Sequence, residues 1–329
     1  METSLDLSRW REAPKGVGYR RWTIISSGLR HLLRTRLFIT LLFMGWTAGF
    51  LIAAIGFLLS QSIATGGWLE TAATHMGPRV EAVVAAIGGF IVLFPDIIIG
   101  GFFTLVFWLH SFLGLGLCLV ALTVMVPRLI ASDRASNALT IYLSRPLTSA
   151  DYLLGKLGMI VGVLLLLWTG PLVFGWVLGM LLSPDRDFIV YSFLPFVQAL
   201  TFNGIALVVL AATALGVSAL SRTSSPTVIL WMVLWIFAGA VAKFPLAPVW
   251  LRRVSFSHNL GEVRMTVFRL DAALADASAS LPLLTEQMGD SLRKAALSAQ
   301  AHDFNGAMIG LGVLTVLSSV VFLRKLRPE

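Results

Sequence analysis

The chain has 329 residues, of which 57% are hydrophobic and only 13% charged, and its formal net charge is +8. Its mean hydropathy of +0.84 and several apolar runs longer than about 18 residues exclude an ordinary soluble domain. They predict an all-α, polytopic helical membrane protein. Basic residues beside the spans explain the positive charge better than binding to nucleic acid does, so no nucleic-acid partner is expected.

Residues 1–36 form a basic leader that contains eight lysine and arginine residues. An apolar stripe with helical spacing begins at Trp22, while Arg30 and Arg34 lie on another face. This pattern predicts an amphipathic helix on the inner leaflet of the lipid bilayer. A plain basic anchor that only sets the topology is the alternative, and the two are compatible. Because the first apolar run starts near Leu37, no cleavable signal peptide is expected.

Six apolar stretches are predicted to span the membrane, namely 37–60, 97–126, 157–182, 193–220, 227–247 and 306–323. They divide the chain into the segments 1–36, 37–126, 127–156, 157–247, 248–305 and 306–329. The stretch Val83–Phe94 is short for a span, so we interpret it as interfacial or re-entrant. Within 248–305, Leu260–Leu274 and Leu283–Ala299 are predicted to form two short helices of an external cap. A flexible loop is the alternative.

The distribution of basic residues predicts the orientation of the six spans. The leader, segment 127–156, the turn at Arg222 and the C-terminal tail together hold 16 basic residues, whereas the two short opposite loops hold only Arg79 and Arg186. The positive-inside rule therefore places both termini in the cytoplasm. Residues 243–305 carry seven basic and six acidic residues on the other side. Long loops are largely exempt from that rule.

The stretch 133–156 is a polar island between two apolar runs. With Arg128 just upstream it holds six charged residues, which would cost roughly 15–20 kcal/mol in hydrocarbon, so it must lie in water or among headgroups. Helical spacing predicts a short helix that Pro146 ends. Thr148–Asp151 then resembles a capping box, which predicts a second helix running through Lys156 into the third span.

Groups that could perform chemistry inside the membrane are few. Asp96 and His110 are the intramembrane candidates, but about 21 Å of helix separates them, and a histidine hydrogen-bonded between helices is the preferred interpretation of His110. The histidines show no metal-ligand spacing. Gly155-Lys156 is followed by leucine rather than the serine or threonine of a Walker motif. No cofactor, metal or ATP site is therefore expected on this chain.

The polar island resembles the cytoplasmic loop of the type-2 ABC transporter permeases, the membrane subunits of exporter-type complexes. The matching residues are Asp133-Arg134, Leu143-Ser144-Arg145-Pro146 and Tyr152-Leu153-Leu154-Gly155-Lys156. Two positions depart from the family pattern. Asn137-Ala138 stands near the place of a glycine-threonine pair, and Ser149-Ala150 stands where a basic residue often follows the proline turn.

The resemblance implies a permease subunit of the cell (inner) membrane that works as a pair, expected to be a homodimer, with two ATPase subunits that bind ATP and Mg. The loop would hold a coupling helix in a groove of the ATPase. Its coupling residues would be Asp133, Arg134, Leu143, Arg145, Pro146, Tyr152, Gly155 and Lys156, with the inner-surface helix of Trp22, Arg30 and Arg34 packed nearby. The alternative is a solvated loop that only connects two spans.

Two other functional classes stay open. An intramembrane enzyme requires a catalytic cluster at depth, and the sequence offers only isolated polar residues. A secondary carrier or a non-transporting scaffold is the other class. Carriers usually show more charges within the spans or matched broken helices in two halves, and Gly170-Pro171 has no clear counterpart. The transported substrate is not specified, although spans with few charges mildly favour an apolar or amphipathic cargo.

Overall fold

A computed structural model describes residues 16–63, 68–94, 96–135, 148–184, 187–221, 223–237, 239–240, 248–270, 272 and 302–325. These residues are almost entirely helical, and no strand occurs among them. Five helices are long and apolar enough to cross a membrane: Arg36–Gln61, Ile97–Ala135, Ala150–Leu182, Phe188–Leu220 and Phe304–Lys325. The chain is therefore an all-α, multi-pass membrane protein, as the sequence predicted.

The α-helices are numbered in chain order. They are α1 (Val17–Leu33), α2 (Arg36–Ile63), α3 (Trp68–Met76), α4 (Pro78–Leu93), α5 (Gly101–Val126), α6 (Ser132–Ala135), α7 (Ser149–Leu164), α8 (Gly170–Leu182), α9 (Asp187–Leu220), α10 (Ser224–Met232), α11 (Val249–Val254), α12 (Phe256–Phe268) and α13 (Phe304–Lys325). The described residues also include four π-helical turns, at Asp96–Gly100, Pro127–Ala131, Leu165–Thr169 and Val233–Phe237.

Helices α5 and α9 run in the same direction through the bundle. Phe188 at the start of α9 lies edge-to-face on Phe103 near the start of α5, with ring centroids 5.2 Å apart. At the other end of the same two helices, the Ser218 hydroxyl accepts a 2.9 Å hydrogen bond from the Ile130 amide. We call the end that contains Ser218 and Ile130 the proximal end of the bundle, and the end that contains Phe103 and Phe188 the distal end.

Glycine residues let α2 and α8 pack with their backbones almost in contact. A Cβ atom added to Gly49 would lie 2.6 Å from the Pro171 carbonyl oxygen, and one added to Gly45 would lie 2.5 Å from the Leu167 carbonyl oxygen. Small residues at such positions are typical of helix pairs in membranes, where close van der Waals contact replaces the hydrophobic effect as the source of association.

The π-helical turns leave some backbone groups without a hydrogen bond in their own helix, and other parts of the bundle supply the hydrogen-bond partners. Pro171 cannot donate a backbone hydrogen bond, and the turn Leu165–Thr169 directly precedes it. Within that turn the Leu166 carbonyl accepts a 3.1 Å hydrogen bond from the Trp46 indole. Because hydrocarbon offers no water to such groups, an unpaired carbonyl there would be costly. The helix is therefore irregular just before Gly170-Pro171, where a π-helical turn leaves a carbonyl that accepts its hydrogen bond from a neighbouring helix.

The predicted fifth span, 227–247, differs from the structure. The apolar helix found there, Ser224–Ile236, is shorter than the five long ones, and residues 238 and 241–247 lie outside the described residues. The prediction of a sixth long helix is therefore not confirmed. The other five predicted spans each coincide with one of the long helices.

Helix α12 continues from the distal side of α10. The Ser257 hydroxyl donates a 2.8 Å hydrogen bond to the Trp235 carbonyl in the turn after α10. The Phe256 and Trp231 rings are stacked, with ring centroids 6.4 Å apart. Trp231 in turn donates to the Thr123 hydroxyl near the proximal end of α5. The two short helices therefore occupy successive levels beside α5.

The sequence predicted this region as an external cap with a helix from Leu260 to Leu274. The structure begins the helix at Phe256 and buries Leu260, Val263 and Phe268 of its inner face in the core of the bundle. The second predicted helix, Leu283–Ala299, lies outside the described residues.

Helix α4 contains the stretch Val83–Phe94 up to Leu93, and helix α3 precedes it in the chain. They pack against each other and meet at Gly77, whose φ of 102° lies in the left-handed region that glycine adopts without steric cost. The interfacial or re-entrant placement of this stretch stays a prediction.

The glycine contacts between α2 and α8 give a direct test of the packing. Gly49→Ala places a methyl group against a fixed carbonyl, so we expect it to lower the free energy of unfolding by about 1–3 kcal/mol, the usual penalty of overpacking. Gly116→Ala is the matched control, because nothing lies within 4 Å of its added Cβ and both changes sit inside helices. Thermal unfolding of both variants in detergent measures the difference, and equal melting temperatures would contradict the packing.

Candidate functional site

The structure brings predicted site residues from separate elements together at the proximal end. Asp133 and Arg134 lie in α6, and Tyr152, Gly155 and Lys156 lie in the first turns of α7. The remaining predicted coupling residues, Leu143, Arg145 and Pro146, fall within 136–147, outside the described residues.

The Asp133 carboxylate joins α6 to α7. One of its oxygens lies 2.8 Å from the Lys156 ammonium nitrogen and accepts a 2.6 Å hydrogen bond from the Tyr152 hydroxyl. That hydroxyl also lies 3.3 Å from the Leu129 carbonyl oxygen. The side chains of Lys156 and Asp133 are only 12% and 17% exposed, so solvent screens their attraction less than at an open surface. We call Asp133, Tyr152 and Lys156 the Asp133 cluster.

Arg134 joins the same short helix to the end of α9. Its guanidinium donates a 2.9 Å hydrogen bond to the Ala219 carbonyl, one of the last carbonyls of a helix that ends at Leu220. Such carbonyls have no partner within their own helix, and a cation is favourable beside them. One residue earlier, the Ser218 hydroxyl accepts from the Ile130 and Ala131 amides. The segment that enters the polar island is therefore fixed to both α7 and α9.

Asp151 has two roles at the start of α7. The Thr148 hydroxyl accepts from the Asp151 amide, and the Asp151 carboxylate accepts from the Thr148 amide, so the predicted capping box is confirmed. The same carboxylate accepts a 2.7 Å hydrogen bond from Nε of Arg21. Asp151 is buried, and it therefore ties the N-terminal helix α1 to the first turn of α7.

Helix α1 packs into a groove of glycines on α7. A Cβ added to Gly155 would lie 2.9 Å from Ile24, and one added to Gly158 would lie 2.5 Å from Ile25. Gly162 plays the same part against Leu29. Gly155 therefore allows close contact between α1 and α7, and its role in coupling stays a prediction.

The predicted amphipathic stripe of the leader is divided between two environments. Its middle part faces α7 rather than lipid, as the contacts of Ile25 and Leu29 with glycines show. Trp22 is 62% exposed, and Arg30 and Arg34 are also exposed. An aromatic ring with basic residues beside it suits a membrane surface, so the interfacial placement of that face stays a prediction.

A cavity of about 330 Å³ lies between α1 and α7 beside the Asp133 cluster. Its polar lining consists of Thr23, Ser27 and the three residues of the cluster. The Asp133 carboxylate already neutralises the charge of Lys156. These paired charges therefore form a structural junction between the helices.

The weak intramembrane candidates remain apart. His110 is buried within α5. Asp96 begins a π-helical turn at the distal end of the same helix, and its side chain lies outside the described part. Among the described residues there is no group of three or more His, Cys, Asp or Glu side chains that could hold a metal ion.

Neither the protein-family models nor the curated proteins gave a match to this chain. The function of the proximal end is therefore inferred from its contacts and charges.

Sequence reasoning missed three contacts of the site. They are Arg21 with Asp151, Arg134 with the Ala219 carbonyl, and Ser218 with the Ile130 and Ala131 amides. Their partners are 85 to 130 positions apart, so no local spacing marks them. The one available signal was charge, because Arg21 and Asp151 were both predicted on the same side of the membrane.

A double-mutant cycle measures the strength of the Asp133 cluster. Asp133→Asn, Lys156→Gln and the double variant should give a coupling free energy of about 1 kcal/mol or more, because the pair is partly buried and its members share partners. The pair Arg253 and Asp303, at 3.6 Å and with side chains 61% and 60% exposed, is the matched control and should give a value close to zero. Equal coupling in both pairs, measured by chemical unfolding in detergent, would contradict a specific junction.

Proposed function

We propose that the chain is the membrane subunit of an ABC exporter-type transporter, which couples ATP hydrolysis on separate ATPase subunits to transport or other work across the membrane. The observation that carries the proposal is the junction at the proximal end. There the residues entering the polar island bind both α7 through Asp133 and α9 through Arg134. A loop that merely connected two spans would need neither attachment.

The proposed topology has six crossings with both termini in the cytoplasm, so that the proximal end is cytoplasmic. Five crossings are the long helices. The fifth in chain order is made jointly by α10 and α12, which occupy successive levels beside α5. This arrangement keeps the basic leader, the polar island and the basic tail on the cytoplasmic side, as the positive-inside rule requires. The protein then resides in the inner cell membrane.

Force applied to the polar island has a continuous path into the bundle. An ATPase that held residues 136–147 would displace α6, and the ion pair of Asp133 with Lys156 would pass that displacement to α7. Helix α7 continues through the turn Leu165–Thr169 into α8, which packs on α2 with backbones nearly touching. Because α1 is tied to α7 through Arg21 and Asp151, it would move with this unit.

ATP and Mg bind to the partner ATPase in this complex, because the polar groups of the junction are committed to ion pairs and helix capping. A functional complex would contain two copies of this chain and two ATPase subunits, in keeping with the family that residues 133–156 resemble. The apolar character of the spans favours an apolar or amphipathic cargo.

A secondary carrier is the second candidate, and one observation favours it. A crossing made of two stacked helices, α10 and α12, is a feature that carriers use at substrate sites. An intramembrane enzyme gains no support, since the described residues place no catalytic partner beside His110. Copurification with an ATPase distinguishes the transporter subunit from the carrier.

Substitutions within the polar island test the proposed coupling to an ATPase. Purified in mild detergent from its native membranes, the wild-type chain should retain a Walker-containing ATPase. In reconstituted vesicles we expect Arg145→Glu and Pro146→Leu to reduce permease-dependent ATP hydrolysis about tenfold, equivalent to about 1.4 kcal/mol of coupling, while the chain still inserts.

Arg79→Glu is the matched control, since it makes the same charge change in α4, on the predicted opposite side of the membrane. It should leave ATP hydrolysis unchanged. A wild-type chain that retains no ATPase would contradict the proposal, as would loop variants with undiminished hydrolysis.

A further inference from the structure

A cavity of about 370 Å³ opens near the distal end, between α5, α9 and the C-terminal end of α12. Part of its lining is apolar and includes Leu194, Pro195 and Phe268. The lining also includes three residues with polar side chains, Tyr191, Gln198 and Arg269. Among the described residues that line the cavity, none is acidic.

Arg269 brings a positive charge to this cavity. It caps α12 in the left-handed conformation, with φ of 49°, and its side chain is exposed. Within the described part of the chain, no carboxylate forms an ion pair with its guanidinium. A cation in an open, partly apolar cavity attracts a negatively charged group.

A second cation lies directly behind the cavity wall. Arg264 precedes Arg269 by five residues, or about 7.5 Å along a helix axis, and it is only 3% exposed. Its guanidinium carbon is 3.6 Å from the Phe112 ring centroid and 5.0 Å from that of Phe202. Phe202 and the cavity-lining Phe268 have ring centroids 6.1 Å apart.

The aromatic rings only partly compensate the charge of Arg264. Cation–π contact stabilises a guanidinium by about 2 kcal/mol when it is desolvated, but it leaves the full positive charge in place. Nε of Arg264 has no hydrogen-bond partner, and no described carboxylate pairs with this side chain. Uncompensated charges at such depth usually mark binding sites or pathways.

We propose that this distal cavity binds an amphipathic anion, a molecule with a carboxylate or phosphate group on a hydrophobic body. Arg269 binds the anionic group, with Tyr191 and Gln198 available as hydrogen-bond donors, and the apolar wall takes the hydrophobic body. Arg264 strengthens the attraction from behind the wall, because an electrostatic interaction at a given distance is stronger in a medium of low dielectric constant. The inference concerns this chain alone and holds whether or not an ATPase partner exists.

Photo-labelling of the purified chain in phosphatidylcholine nanodiscs tests the site. The probe is a twelve-carbon fatty acid bearing a diazirine group, with the corresponding alcohol and trimethylammonium compound as neutral and cationic analogues. Mass spectrometry of the labelled peptides should locate the carboxylate probe on the cavity residues of α9 and the end of α12. We expect labelling there to exceed that by either analogue about tenfold, equivalent to about 1.4 kcal/mol.

Arg269→Gln should reduce this labelling about tenfold, and Arg264→Gln should reduce it as well. Arg253→Gln is the matched control, because it removes an exposed cation elsewhere, and it should leave labelling unchanged. Because Arg264→Gln perturbs the core, its elution on size exclusion is compared with that of wild type. The comparison of the three probes on the wild-type chain does not depend on any variant.

Competition identifies the source of the anionic group. Displacement of the probe by unlabelled dodecanoate alone assigns the site to a free amphiphile, whereas displacement by a few per cent of phosphatidic acid in the nanodisc assigns it to a lipid headgroup. Either result supports an anion site. Labelling by the alcohol or the cation equal to that by the carboxylate would overturn the proposal, as would unchanged labelling of Arg269→Gln.

Discussion

The proximal end of the bundle depends on one carboxylate, that of Asp133. It accepts a hydrogen bond from Tyr152 and forms an ion pair with Lys156, so it binds the start of the polar island to α7. Both charged side chains are mostly shielded from solvent. Removing one of them would leave the other as an unpaired, shielded charge, which is strongly destabilising. The contacts of Arg134 with α9 and of Arg21 with α7 then join four helices into one unit at the end of the bundle.

A second constraint, the absence of water in hydrocarbon, shapes what that unit connects to. Every π-helical turn frees backbone groups, and in this bundle neighbouring side chains such as Trp46 and Ser218 satisfy them. Glycine residues allow α2 and α8 to pack in close contact. Such close packing suits a bundle that transmits a displacement from one helix to the next. In the proposed transporter, the cytoplasmic junction is where ATP-driven motion enters. The distal cavity with Arg269 and Arg264 is a separate site for an anion at the other end.

Local sequence patterns predicted some of these features and not others. The capping box at Thr148 and Asp151 was predictable because its hydrogen bonds span three residues. The Arg21 contact with Asp151 was not, because it joins positions 130 apart. Helix α12 was assigned to an external cap because it falls in the long polar segment 248–305, between two predicted spans. The structure buries that arginine against the aromatic rings of two other helices, a solution that hydropathy cannot indicate.

In the proposed transporter, residues 136–147 contact an ATPase. A photoreactive amino acid placed at Leu143 and activated in native membranes tests it most directly, with Met76 as the control position because it is 71% exposed and lies on the predicted opposite side. Position 143 should give a cross-linked product that contains a Walker-motif polypeptide, and position 76 should give none. Absence of that product from position 143, or equal products from both positions, would contradict that contact.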